Sequence, residues 1–175
     1  MSSRRAVKED QAMSGDMQSW TQRSAELWSQ IDDHEEAHFV ALIDALAAEL
    51  GPTSAIGAFE RGAARDSTGD PEGAIALYEA ALKAGLDGER RRRAVIQMAS
   101  SLRNLGDPEQ AVALLSAELD AAHDPLDGAV RAFLALALAD LGREREGLTL
   151  ALRALSEYLP RYSRSLANYA EDLTA

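Results

Sequence analysis

The chain has 175 residues, of which 46% are hydrophobic, 27% charged and 5% aromatic, and its formal net charge is −11 at pH 7. This length fits one compact domain or one short solenoid. The acidic balance argues against non-specific binding of nucleic acid over the whole surface. The sequence contains no cysteine, which excludes a disulfide framework, a thiolate nucleophile and a cysteine-ligated zinc site.

The sequence carries no sign of a membrane-spanning or secretory segment. No stretch approaches the roughly 18 uninterrupted apolar residues of a spanning helix. Arg4 and Arg5 are not followed by an apolar run, so no secretory signal is predicted and we expect a cytoplasmic protein. Ala, Leu, Glu and Arg, which lose little conformational freedom in a helix, are frequent, and no segment alternates with period 2. The sequence therefore predicts an all-α fold.

The first 51 residues divide into a tail and a pair of helices. Residues 1–17 mix charged residues with Ser, Gly and Met, show no periodicity and are predicted to form a flexible N-terminal tail. Residues 18–51 are predicted to form two helices, the first of which carries Trp20 and Trp28. Asp33, followed three residues later by a glutamate, has the spacing of an N-cap with its capping-box partner for the second helix.

One short pattern occurs three times in residues 52–160. The copies read STGDPEGAIALYEAAL at 67–82, NLGDPEQAVALLSAEL at 104–119 and DLGREREGLTLALRAL at 140–155. Their turn glycines, Gly69, Gly106 and Gly142, lie 37 and 36 residues apart. Self-similarity at a period of this size marks stacked helix-turn-helix units. The predicted helices cover about 53–67, 71–85, 88–105, 108–122, 126–141 and 144–159, and a last amphipathic helix lies in 161–175.

Small residues recur at fixed distances on both sides of each turn glycine. They are Gly62, Ala99 and Ala135 in the first helices, and Ala74, Ala111 and Gly147 in the second helices. Glycine costs about 1 kcal/mol in a helix interior, so helix propensity does not explain this pattern. We predict that these positions mark the crossing point of each helix pair.

The small residue–turn glycine–small residue pattern resembles the tetratricopeptide repeat over about 53–160, and the segment from Asp66 to Gly106 resembles the bacterial group-5 family of these repeats. The resemblance implies a right-handed superhelix (α-solenoid) of three repeats. The 37-residue spacing, continued backwards, predicts a degenerate repeat in 18–51, and the last amphipathic helix is predicted to cap the stack in 161–175. The chain departs from the family pattern in two ways. The period exceeds the usual length of about 34 residues. The aromatic residue expected early in each first helix is replaced by Ala58, Val95 and Arg131.

The resemblance implies that the first helices line a concave groove, and a polar stripe follows one of these helices. Arg93, Gln97, Ser100 and Asn104 recur at helical spacing, next to the basic cluster Arg90–Arg93. We predict a non-enzymatic module that binds a protein or an acidic peptide there through charge-assisted hydrogen bonds. The predicted binding residues are Phe59, Asp66, Arg93, Gln97, Ser100, Arg103 and Asn104. The alternative is that the arginines only pair with neighbouring acids across the loops.

The sequence also bears on two other modes of binding, a carboxylate clamp and self-association. The carboxylate clamp of chaperone-binding relatives is not reproduced, because Phe59 and Ala63 occupy the matching positions of the first repeat. A self-associating scaffold is a further alternative, through exposed ends of the stack such as Tyr162 and Tyr169.

The segment HEEAH, from His34 to His38, fits the H-E-x-x-H motif of zinc hydrolases. On one helix, this spacing puts both imidazoles on the same face, with the intervening glutamate as general base. Glu36 is charged, however, where a buried zinc-binding helix has an uncharged residue. Ala41 and Asp44 stand where an extended motif needs a glycine and a third histidine. A metal-dependent hydrolase is therefore the alternative to a binding module, and binding of stray Zn²⁺ or Ni²⁺ by the histidine pair is the weaker form of that hypothesis.

A di-iron site has less support. Glu35 with His38, and Asp120 with His123, have the spacing of paired di-iron motifs, but such a site also needs glutamates from two further helices. His123 falls at a helix end beside Pro125, where we expect it to be solvated. We therefore predict no catalytic residue, no metal and no cofactor.

Overall fold

A computed structural model describes the backbone of residues 2–121 and 123–174, and side chains from residue 15 onward except residue 122. The described residues contain α-helices and one 3₁₀ helix, Ile31–Asp33, but no strand. The helices are α1 (Ser2–Trp28), α2 (Glu36–Ala48), α3 (Ala55–Ser67), α4 (Pro71–Lys83), α5 (Gly88–Asn104), α6 (Pro108–Ala121), α7 (Asp127–Asp140), α8 (Glu144–Ser156) and α9 (Ser163–Asp172). The all-α prediction is confirmed.

Helix α1 begins earlier than the sequence indicated. Its backbone is helical from Ser2, so most of the segment predicted as a flexible tail, 1–17, continues the helix that carries the two tryptophans. The helix-forming residues between Ala6 and Met17 extend it without a break, although they show no apolar periodicity. The flexibility of this segment stays a prediction, and the side chains of 1–14 lie outside the described residues.

The predicted capping box at the start of α2 does not form. The Asp33 amide instead donates to the carbonyl of Gln30 at 2.9 Å, which closes the 3₁₀ turn. His34 and Glu35 then run in extended backbone conformation, and Glu35 is the N-cap residue without a side-chain capping bond. The prediction that Asp33 caps the helix is wrong because the local turn uses this residue before the helix starts. The apolar face of α2 is nevertheless buried, with Phe39, Ile43, Leu46 and Ala47.

The three repeated turns have the same geometry. Gly69, Gly106 and Gly142 have φ values of 82°, 88° and 72°, in the left-handed region that favours glycine. The residue after each glycine donates its amide to the carbonyl five positions earlier, at 2.9, 3.0 and 2.9 Å. These bonds satisfy carbonyls left open at the helix end, as in a Schellman motif. The three turns that share this glycine therefore also share its left-handed conformation and the same backbone hydrogen bond.

The first two turns also start the next helix in the same way. Asp70 accepts a hydrogen bond from the amide three residues on at 2.9 Å, and Asp107 does the same at 3.0 Å. Pro71 and Pro108 follow at the first helical position, where a missing amide hydrogen costs nothing. The third copy has Arg143 at this cap, without a side-chain capping bond.

The predicted crossing points are as close as the small residues suggest. A Cβ atom added to Gly62 would lie 2.9 Å from the ring of Tyr78, and one added to Gly147 would lie 2.6 Å from the backbone oxygen of Ala135. Neither contact leaves room for a larger residue. In the pair α3/α4, the backbone of one helix therefore lies against a side chain of the other. In the pair α7/α8, the two backbones lie against each other.

The helices form a solenoid of two layers. In the first-helix layer α3 contacts α5 and α5 contacts α7, and α4 and α6 each pack between two members of that layer. The main core lies between the layers and includes Phe59, Tyr78, Leu115 and Val130, all fully buried. Among the described residues, no helix is both long and apolar enough to cross a membrane.

The two tryptophans attach α1 to this stack. Trp20 is buried and its Nε1 donates to the carbonyl of Leu46 at 2.8 Å. Trp28 donates to a carboxylate oxygen of Glu60 at 2.7 Å, and its ring meets Phe39 edge-on at 5.1 Å. Helix α1 therefore packs on α2 and reaches α3, as expected for a helix that covers the N-terminal end.

Candidate protein-binding site

The seven predicted binding residues lie on two neighbouring helices of the first-helix layer. Phe59 and Asp66 are on α3, and the other five are on α5. The two helices are in contact, so the structure brings the predicted residues to one junction. Their exposure and partners differ, however, and this decides which of them a ligand can reach.

Arg93 and Phe59 form a stacked pair. Phe59 is fully buried, and the guanidinium carbon of Arg93 lies 5.3 Å from the centre of its ring. Arg93 itself is exposed, and its guanidinium has no acidic partner within the described residues. A cation over an aromatic face gains about 0.5–1 kcal/mol at an exposed site. Phe59 therefore supports the arginine from below and is not itself a surface that a ligand touches.

Asp66 is occupied by the junction between the helices. Its carboxylate accepts a hydrogen bond from the Ser101 hydroxyl at 2.6 Å. Burial raises the pKa of Asp66, and the bond to Ser101 partly opposes this. The fully buried Tyr78 lies beneath, and burial, reinforced by the nearby Asp66 carboxylate, raises the pKa of its phenol. Asp66 thus joins α3 to α5 and is not a free carboxylate of the groove.

Arg103 is also occupied. Its guanidinium forms an ion pair with Asp140 on α7, one repeat further along the chain. Because Asp140 ends the neighbouring first helix, this pair ties α5 to α7. Arg103 therefore joins α5 to α7, as Asp66 joins α3 to α5.

The remaining polar residues stay available along α5. Gln97 and Ser100 are half-buried and Asn104 is exposed. The side-chain oxygen of Gln97 is buried and accepts no hydrogen bond. Together with Arg93, these residues form the polar stripe (Arg93, Gln97, Ser100 and Asn104), which offers one cation, a hydroxyl and the amide of Asn104.

The rest of the arginine cluster is paired with acids. Arg91 donates to both oxygens of Glu118 at 2.7 and 2.8 Å, and Arg90 lies 3.8 Å from Glu60. Arg92 is only 3% exposed and makes a 2.6 Å ion pair with Asp127. Three of the four arginines in this cluster therefore pair with acids of neighbouring helices and loops, as the alternative hypothesis predicts. Arg93 is the exception.

The histidine pair does not adopt the geometry of a zinc-binding helix. His34 precedes α2 in extended conformation, whereas His38 lies within α2, so the two are not on one helix face. Their ring centres are 5.4 Å apart, and the His34 ring also stacks on Phe39. Among the described side chains, no three His, Cys, Asp or Glu residues are grouped so that they can hold a metal ion.

His123 is exposed, as expected for a residue at a helix end. Its Nδ1 lies 2.8 Å from a carboxylate oxygen of Asp127, at the start of α7. This hydrogen bond is the largest of the interactions that lower the pKa of Asp127. His123 therefore lies in the loop before α7 and contacts Asp127, the same carboxylate that pairs with Arg92.

Sequence reasoning missed the apolar surface of the last repeat. Leu136, Leu148 and Leu155 are 46%, 48% and 50% exposed. The repeat register was the signal that could have identified Leu148 and Leu155, because the equivalent Val112 and Leu119 of α6 pack against the core.

The fold and the polar stripe define a class of protein, the helix-turn-helix repeat solenoids, whose repeats generally mediate contacts between proteins. The chain belongs to the tetratricopeptide repeat family, group 5, because a family model described as tetratrico peptide repeat matches residues 55–173, from the start of α3 to the end of α9. No curated protein and no solved structure matches the chain.

Proposed function

We propose that the chain is a non-enzymatic binding module that holds an acidic peptide segment of a partner protein along the polar stripe. The observation that carries this proposal is Arg93. It is exposed, it is held over the ring of Phe59, and within the described residues it pairs with no acid. The other members of its cluster are used inside the fold.

The chemistry of the stripe supports a peptide ligand. A guanidinium binds a carboxylate through two parallel, charge-assisted hydrogen bonds, which are about twice as strong as neutral ones. Ser100 and Asn104 provide further hydrogen-bonding groups along the same face.

The charge of the chain adds selectivity. With a net charge of −11, most of the surface repels an acidic peptide. Arg93 is therefore a local attractive point on a repulsive background, which restricts where such a ligand binds and in which register.

The proposal is tested by selecting binders from a displayed peptide library with purified wild-type protein and with Arg93→Glu. We expect peptides enriched in Asp and Glu for the wild type and loss of that enrichment for the variant. The matched control is Arg164→Glu, which changes an exposed arginine on α9 by the same charge. The proposal is overturned if no acidic preference appears, or if Arg93→Glu selects the same peptides as Arg164→Glu.

A further inference from the structure

The last repeat exposes positions that the first two repeats bury. Counted by the repeat register, Leu148, Ala151 and Leu155 of α8 correspond to Val112, Leu115 and Leu119 of α6, and to Ile75, Tyr78 and Leu82 of α4. All six residues on α4 and α6 belong to the main core or pack against it. Their three counterparts on α8 are exposed. The difference therefore lies in what covers them.

In the first two repeats, the cover is the first helix of the next repeat. Helix α5 packs on both α3 and α4, and α7 packs on both α5 and α6. Helix α9 occupies another position. It packs on α8 through a bond of the Thr149 hydroxyl to the carbonyl of Ala170 at 3.0 Å, and it makes no comparable contact with α7. The surface shared by α7 and α8 is therefore left open.

This open surface is a groove between the two helices. Its volume is about 600 Å³, and we define the end face by the apolar residues that line it. They are Ala132, Ala135, Leu136, Gly147, Leu148 and Ala151. Leu136 and Leu148 are large and exposed, whereas the other lining residues are alanines and a glycine, so one surface combines large and small apolar residues.

The residues of α8 on this surface also follow the spacing of a coiled-coil seam. Glu144, Leu148, Ala151 and Leu155 are separated by steps of four, three and four residues. Leu148 and Leu155 lie three and four residues to either side of Ala151. A second α8 laid antiparallel therefore places Leu148 of one copy next to Leu155 of the other.

The charges at the two ends of the seam are complementary. Glu144 at one end and Arg161 beyond the other end have no ion-pair partner within the described residues, whereas Glu157 is paired with Arg131. Antiparallel packing brings the free negative end of each copy to the free positive end of the other. A parallel arrangement instead brings like charges together.

We propose that the occupant of the end face is a second copy of this chain, docked about a twofold axis with the two α8 helices antiparallel. A twofold contact uses the same patch on both subunits and must be self-complementary, which the mixture of large and small apolar residues and the opposite end charges of this surface allow. The interface covers the kind of surface that a following first helix covers in the earlier repeats, and no residue of the polar stripe on α5 belongs to the end face.

The oligomeric state tests this proposal. Sedimentation equilibrium of the full chain over a concentration series is expected to give a dimer for the wild type and a monomer for the double variant Leu148→Glu/Leu155→Glu. Both leucines are exposed, so circular dichroism should show an unchanged fold. The matched control is Leu105→Glu, which alters a leucine with 43% exposure outside the end face and should remain dimeric. A monomeric wild type, or a dimeric double variant, overturns the proposal.

Charge exchange tests the antiparallel geometry. Glu144→Arg and Arg161→Glu should each weaken dimerisation by about fivefold, because each removes two exposed ion pairs worth about 1 kcal/mol together. The double variant Glu144→Arg/Arg161→Glu should restore the wild-type dissociation constant. Additive weakening in the double variant contradicts this arrangement.

Chemical cross-linking gives an independent readout, because the chain has no native cysteine. Ala151→Cys lies near the proposed twofold axis, and a short bismaleimide should join two copies of this variant. Ala80→Cys, an exposed position on α4, is the control and should stay uncoupled. Equal coupling of both variants would overturn the proposed geometry.

Discussion

The junction of α3 with α5 and the junction of α5 with α7 repeat the same helix packing, but they are joined by different polar contacts. The first uses a short hydrogen bond from Ser101 to the partly buried carboxylate of Asp66, beside a longer 3.8 Å ion pair of Arg90 with Glu60. The second uses two ion pairs, Arg92 with Asp127 and Arg103 with Asp140. The repeat thus specifies where the helices meet, while individual side chains decide how each junction responds to mutation, salt and pH.

Removal of Arg92 should have the largest effect on the second junction. Arg92 is only 3% exposed and contacts acids on α6, on α7 and in the loop between them. Its replacement removes the arginine that lies nearest to Asp127 and one of the two that contact the buried Glu118, and breaking a buried pair costs about 3 kcal/mol or more. We expect Arg92→Met to lower the free energy of unfolding by about this amount in urea titrations. A loss below about 1 kcal/mol would show that these carboxylates are solvated.

Removal of the Ser101 hydroxyl should have a smaller effect on the first junction. Ser101 is fully buried and donates to Asp66 at 2.6 Å. A hydrogen bond to a charged group contributes about 1.5 kcal/mol or more, so Ser101→Ala should lower the unfolding free energy by about that amount. The control is Ser100→Ala, one position along the same helix, which should be nearly neutral. Equal losses of unfolding free energy in the two variants would contradict a specific stabilising role of the bond from Ser101 to Asp66.

The two junctions should respond to acid with opposite signs. The pKa of Asp66 is raised in the folded state, so its contribution to stability is present below its ordinary pKa and is lost as the pH rises through the folded value. The pKa of Asp127 is lowered, so its contribution is present above its ordinary pKa and is lost as the pH falls through the folded value.

Substitution by asparagine separates these two contributions. Relative to the wild type, Asp66→Asn should become more stable as the pH rises from about 3 to 7, and Asp127→Asn should become less stable over the same range. The measurement is the unfolding free energy at several pH values under constant ionic strength. Parallel curves for the two variants would contradict the opposite environments of the two carboxylates.

Removal of Arg103 should have the smallest effect. This ion pair with Asp140 is partly exposed, with 27% and 38% of the two side chains accessible. Such pairs contribute about 0–1 kcal/mol and are screened by salt. We expect Arg103→Met to lower the unfolding free energy by less than about 1 kcal/mol, with a smaller loss at 1 M salt. A loss as large as that of Arg92→Met would show that exposure does not separate the two pairs.

Local sequence signals were reliable where the chemistry is local. Pro71 begins its helix, Ser54 accepts a hydrogen bond from the amide of Gly57 at 3.1 Å, and Gly69 takes the left-handed conformation. Asp33 shows the limit of this reasoning. Its spacing fits a capping box, but the 3₁₀ turn before α2 uses the same residue.

The candidate site was only partly predictable. Helical spacing placed Arg93, Gln97, Ser100 and Asn104 on one stripe, because that spacing is a property of a single helix. It did not reveal that Asp66 and Arg103 are occupied, since their partners lie 35 and 37 residues away on neighbouring helices. Whether the stripe binds a partner is a prediction that the library selection tests.

The sequence alone determined the helical class, the repeat period, the turn geometry and the small residues at each crossing, because each of these follows from interactions within one repeat. Only the tertiary structure decided which charges remain free and which apolar positions remain uncovered. Neighbouring helices place acids within reach of Arg91 and Arg92 but not of Arg93. Leu148 is exposed because α9 packs on α8 away from α7. Both depend on how successive repeats and the last helix are placed, which no single repeat encodes.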